Sequence, residues 1–160
     1  MITHLNSDFR PVVRYEKEIP GYYCNIEGKI WRAKSNKFLA PKVKIDKSCN
    51  RLKCHSYNLS IPKNHYEDYD HRANGRHNSP AITVDAHRAV METWRPIDKF
   101  PPDLLVDCWD DIPEPAKHWI RRTAYVDHID CNPANNHVDN LRWVMPIENE
   151  ATRKKAAMNG

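Results

Sequence analysis

Apolar and polar residues alternate through much of the first half of the chain. Residues 21–33 (GYYCNIEGKIWRA) alternate around Glu27-Gly28, the pattern of a β-hairpin. Residues 38–45 continue in a strand-like way, and 55–61 (HSYNLSI) alternate again. Residues 82–84 make a further short strand. The spacing then changes. Ala86, Ala89, Val90 and Trp94 recur at helical intervals, and Pro96 ends that helix. Residues 101–110 and 115–122 each begin with a proline near a first turn, which helices tolerate. The C-terminal part reads as strand (125–129), turn-rich loop (131–139), strand (141–144) and a helix over 147–158 that opens after Pro146. Residues 1–18 are mixed and read as an extended arm. Residues 62–80 are polar and without period, which reads as a surface loop or insertion. No internal repeat is present.

This order predicts an α+β chain with three parts. Residues 1–96 form an antiparallel, β-rich module with one helix, 97–124 a helical insertion, and 125–160 a ββα unit. A length of 160 residues suits one compact domain or one domain with an extension, and 40% apolar residues allow a modest core. No apolar run approaches 18 residues and the N-terminus has no apolar core of a secretion signal. Five cysteines without CxxC spacing argue for reduced thiols, so a cytoplasmic setting is expected. A formal charge of +4 does not by itself establish nucleic-acid binding.

The chemistry concentrates in 126–149, VDHIDCNPANNHVDNLRWVMPIEN. A ββα unit can hold a cation between its hairpin and its helix. Asp127 offers a carboxylate, the hard ligand preferred by Mg²⁺, and Asn149 in the first turn of the last helix offers an amide oxygen. The imidazole of His128 is suited to take a proton from water near neutral pH, provided it binds no metal. In a regular strand Asp127 and His128 point to opposite faces, so a twist is needed to bring both into one cleft. Asn140 suits orientation of the loop or of the histidine by hydrogen bonds. Asn132, Asn135 and Asn136 read as turn formers, and Asp130 as a loop cap.

The segment resembles the HNH (ββα-metal) endonuclease motif, in the phage- and intron-encoded homing endonuclease branch. Asp127-His128, NPANN at 132–136, DNLRWV at 139–144 and ENE at 148–150 carry the likeness. The resemblance implies a DNA endonuclease with His128 as general base, Asp127 and Asn149 as metal ligands and Asn140 as the middle motif residue. Many members have a histidine where this chain has Asn149; that change suits one hard divalent ion, Mg²⁺ with Mn²⁺ as a substitute, and disfavours zinc. Residues 21–96 are similar, more loosely, to the β-rich module that precedes the nuclease unit in such enzymes and contributes to DNA contact. The chain departs from that pattern in the long 62–80 loop, in 97–124, and in stopping eleven residues after Asn149, so the C-terminal helix-turn-helix of some relatives is not expected, and the length of the recognition site stays open. The expected partner is double-stranded DNA, in the cytoplasm of a bacterial host if the chain is phage-encoded; a monomer with one site would nick, and a dimer or two binding events would be needed to cut both strands. Two other readings use the same residues: a DNA-binding module with an inactive unit, and a structure-selective nuclease.

Outside the motif, Trp143 is expected to face the core and to leave Arg142 free to reach a phosphate. Arg153, Lys154 and Lys155 are expected on the DNA backbone, with Lys42 and Lys44 from a basic stretch between strands (Lys42, Lys44, Lys47, Arg51, Lys53), for which a solvated loop is the plain alternative. Cys49, Cys54 and His55 with Cys24 fit no standard zinc spacing. His65, His71 and His77 read as exposed loop residues, His87 as a buried, hydrogen-bonded imidazole, and Trp31, Trp94, Trp109 and Trp119 as core or interface aromatics.

Overall fold

In the computed structural model, residues 7–48, 50–66 and 80–148 are described. Among the described residues, nine strands form three antiparallel sheets around a central helix. The first sheet joins β1 (Arg10–Arg14), β2 (Lys17–Cys24), β3 (Ile30–Arg32) and β4 (Lys37–Phe38) in chain order. The second joins β5 (Lys42–Asp46), β6 (Arg51–Ser60) and β7 (Ala81–Asp85). The third is the hairpin of β8 (Tyr125–His128) and β9 (Leu141–Val144).

Helix α1 (Ala86–Trp94) follows β7 directly and touches all three sheets. Its small and apolar positions Ala86, Ala89, Val90 and Met91 are buried, which lets strands approach from several sides. The core around it takes Val12 and Ile19 from the first sheet, Leu59 and Val84 from the second, and Leu141 and Trp143 from the hairpin. Polar ties fix the arrangement. Trp94 Nε1 donates to the Cys24 carbonyl at 3.1 Å, and Trp143 Nε1 donates to the Arg95 carbonyl at 2.8 Å. Arg88 of α1 donates to the carbonyls of Arg121 and Ala124. Those groups close α2 (Glu114–Thr123), whose last carbonyls carry partial negative charge and favour a cation.

Several expectations from the sequence are corrected. Residues 10–18 are not an extended arm but strand β1 and the turn into β2. Tyr15 and Glu16 both adopt positive φ (52° and 63°), the conformation of a type I′ hairpin turn. The usual Asn-Gly signature is missing, while Val12 and Ile19 bury fully enough to impose the hairpin. The basic stretch Lys42–Lys53 runs along β5 and β6, which pair from Lys42↔Ser56 to Asp46↔Arg51, in keeping with the strand-like pattern of 38–45. Residues 103–111 wind as a 3₁₀ helix, one of the helical pieces expected between 97 and 124. His65 is buried, with its backbone carbonyl held by Lys17 Nζ at 2.7 Å, and Trp119 stands 58% exposed on α2. Cys24, Cys54, Cys108 and Cys131 are free thiols. Among the described residues no helix is long and apolar enough to cross a membrane.

Candidate active site

The β8–β9 hairpin sets the site by its register. Val126 opposes Trp143, Asp127 opposes Arg142 and His128 opposes Leu141. Leu141 and Trp143 are buried against α1, so the alternation of a strand puts Val126 and His128 on that inner face. Asp127 and Arg142 share the outer face. Strand β8 keeps its pairing with β9 through His128.

Asp127 is engaged by its cross-strand neighbour. Its Oδ2 accepts from Arg142 Nε at 3.0 Å and from Nη2 at 2.8 Å. Its Oδ1 receives no hydrogen bond among the described residues. The Asp127 side chain is 15% exposed and that of Arg142 45%. Arg142 is therefore outward, as the burial of Trp143 requires, but tied to a carboxylate.

His128 is half-buried, and its Nε2 lies 3.1 Å from Oδ1 of Asn136. The ring of His87, on the first turn of α1, meets it edge to face with centroids 5.3 Å apart. Burial, then the neighbouring His128, pushes the His87 imidazole down to about 4, against a smaller opposing pull from Asp85. His87 is thus an uncharged ring near neutral pH. It does not have the hydrogen-bonded environment expected of it: its Nδ1 is buried and finds no hydrogen-bond partner among the described residues. Lys44 pairs with Asp85 at 2.5 Å beside the start of α1, and Lys42 is exposed on β5.

The loop between the strands is held by its own side chains. Asp130 Oδ1 accepts from the Asn132 backbone N–H at 2.8 Å and from Asn140 Nδ2 at 2.9 Å, while Oδ2 accepts from Asn135 Nδ2 at 2.8 Å. The Asn135 amide first, then the Asn132 N–H and the Asn140 amide, hold the Asp130 carboxyl below the usual carboxylate range. Asn140 returns the contact, its Oδ1 accepting from the Asp130 N–H at 3.1 Å and its Nδ2 donating to the Asn135 carbonyl at 2.9 Å. Asn132 accepts from the Ala134 N–H in an Asx turn. Asn136 differs from these turn formers. It is buried and points at His128 instead of at the loop's exterior.

Beyond β9, residues 146–148 begin a helix, with Glu148 Oε2 accepting from the Met145 N–H at 2.7 Å as the side-chain half of a capping box. Asn149, Arg153, Lys154 and Lys155 lie outside the described residues, as does Cys49 of the cysteine group. Among the described residues no three of His, Cys, Asp or Glu gather around a common point. Asp127 has Oδ2 held by Arg142 and keeps Oδ1 without a hydrogen bond among the described residues, the one oxygen there that could turn to a hard cation. Asn136 and His87 were not legible as neighbours of His128, because nothing in their local pattern signals that α1 and the loop meet there.

No family model matches the chain. Over 46 residues, 29% of its length, it is 44% identical to Protein 3.8 of Escherichia phage T7, of which that segment is 38%. The solved structure described as DNA binding and cleavage by the HNH homing endonuclease I-HmuI superposes on 93% of this chain with a TM-score of 0.50 and 21% identity. It is matched over 59% of its own length, so this chain spans less than two thirds of either protein. The mixed α/β architecture, with antiparallel sheets and few helices, is therefore an HNH-like fold.

Proposed function

We propose that the chain is a divalent-metal-dependent DNA endonuclease of the nicking, homing type. One observation carries the reading. At the end of β8, an HNH-like fold presents a carboxylate with one oxygen free of hydrogen bonds among the described residues, adjacent in sequence to a histidine held through one ring nitrogen. In this proposal residues 125–160 are the nuclease unit, 1–96 the module that contacts double-stranded DNA, and 97–124 an insertion between them.

His128 acts as general base and takes a proton from the attacking water. Asp127 and Asn149 would hold the cation. Bound there, Mg²⁺ or Mn²⁺ would neutralise charge that develops on the scissile phosphate and the leaving 3′ oxygen. Asn140 keeps the loop between the strands in shape. Arg142, once its carboxylate is taken by a cation, is available to a phosphate oxygen, and Lys42, Lys44, Arg153, Lys154 and Lys155 add backbone contacts. One such site cuts one strand, so a monomer nicks.

The test is the conversion of supercoiled plasmid to open circles. The proposal expects nicking with Mg²⁺ or Mn²⁺ and none with EDTA. A second reading, a DNA-binding module with an inactive unit, is favoured by the opposite-face placement of Asp127 and His128 and by the Arg142 bond to Asp127. A gel shift with tight binding and no cleavage under any divalent ion would select it.

A further inference from the structure

The mechanism leaves open which nitrogen of His128 carries the proton and which receives one. We propose that Asn136 is a positioning residue that holds the His128 imidazole with its proton on Nε2, so that Nδ1 is the atom free to accept a proton. The catalytic consequence rests on the nuclease reading, whereas the assignment of the tautomer does not.

Three observations carry it. The first is the contact itself, with Asn136 Oδ1 3.1 Å from His128 Nε2. An amide oxygen only accepts, so the ring nitrogen facing it must donate. The second is the orientation of that amide. Asn136 Nδ2 lies 3.4 Å from the carbonyl oxygen of Ala134 and donates to it. Rotating the amide by half a turn would set its oxygen against that carbonyl oxygen, two acceptors facing each other. Asn136 is 6% exposed, so water is poorly placed to relieve such a clash.

The third is the support beneath Asn136, which comes from a distant part of the chain. Gly28, in the β2–β3 turn, has φ +80°, and a Cβ built on it would sit 3.1 Å from Asn136 Cβ. The absence of a side chain there lets the turn press against Asn136. Tyr57 Oη donates to the Gly28 carbonyl at 3.0 Å, and the Val138 N–H donates to the Ile26 carbonyl at 2.8 Å. The first sheet thus fixes the loop, the loop fixes Asn136, and Asn136 fixes the ring. This is the supporting shell that orients a reactive histidine, and such partners change activity by about 10–100-fold when removed.

The experiment combines nitrogen-15 NMR of the histidine rings with single-turnover nicking of supercoiled plasmid in Mn²⁺. In the unaltered protein the His128 ring is expected as one tautomer, with Nε2–H protected from exchange with water. In Asn136→Leu, which keeps size and removes the acceptor, that protection is lost, and the saturating single-turnover rate constant falls about 10–100-fold with the half-saturating concentration within about twofold. Asn136→Asp, which retains an acceptor oxygen, restores protection and most of that rate constant. A proton found on Nδ1 in the unaltered protein overturns the proposal, as does unchanged Nε2–H protection in Asn136→Leu. If Asn136→Leu does not fold, the unaltered protein and Asn136→Asp still decide it. An unaltered protein that never nicks, yet shows the protected Nε2–H, retains the positioning role and rejects the nuclease reading.

Discussion

At the scale of single residues, two side chains next to the candidate site make opposing demands. Arg142 neutralises Asp127 across the hairpin and competes with any cation for the same carboxylate. A cross-strand pair of this kind is worth about 0.2–1 kcal/mol. Arg142→Gln is therefore expected to tighten Mn²⁺ binding by about 1.5–5-fold, read by titration calorimetry or by loss of the free Mn²⁺ resonance signal; unchanged or weaker binding would show that the pair does not guard the site. His87 acts through pH. Burial and the nearby His128 hold it down to about 4, whereas an unfolded chain would have it near 6.5. Between those values the unfolded state binds more protons, so its contribution to stability is complete above about pH 6.5 and is lost as pH falls toward 4. The slope from this one group approaches about 1.4 kcal/mol per pH unit within the window. Denaturant titrations from pH 7 to 4 should show a shallower decline in His87→Leu than in the unaltered protein, and parallel declines would contradict the assignment.

At the scale of elements, the period of the sequence identifies what is locally determined. Helix α1 lies where Ala86, Ala89, Val90 and Trp94 recur, and β8 and β9 flank a loop whose Asn and Asp residues satisfy their own turns. The alternation of β8 already separates Asp127 from His128, since one face must cover Leu141 and Trp143. What the pattern does not carry is contact between distant elements. The turn at Tyr15–Glu16 lacks turn residues and forms because Val12 and Ile19 bury on either side of it. His65 sits in a polar stretch, yet it closes over Lys17 and Tyr66. Asn136 reads as one more turn residue until the β2–β3 turn is seen beneath it. That last contact is testable. Gly28→Ala combines an unfavourable positive φ with a 3.1 Å approach to Asn136 and a 3.3 Å approach to Val90. It should lower stability by about 1–3 kcal/mol in urea denaturation. A variant as stable as the original would mean that the turn does not buttress the loop.

At the scale of the whole molecule, α1 joins the two sheets to the hairpin, so that the loop carrying Asn136 is positioned from both sides. On the proposed reading, the chain hydrolyses a phosphodiester bond with His128 as the base. The rate of plasmid nicking in Mn²⁺ by His128→Ala, set beside its DNA affinity in a gel shift, tests this most directly. The account predicts a loss of at least about 100-fold in nicking, as removal of a general base entails, with binding within about twofold. Metal-dependent nicking that survives in His128→Ala would contradict it.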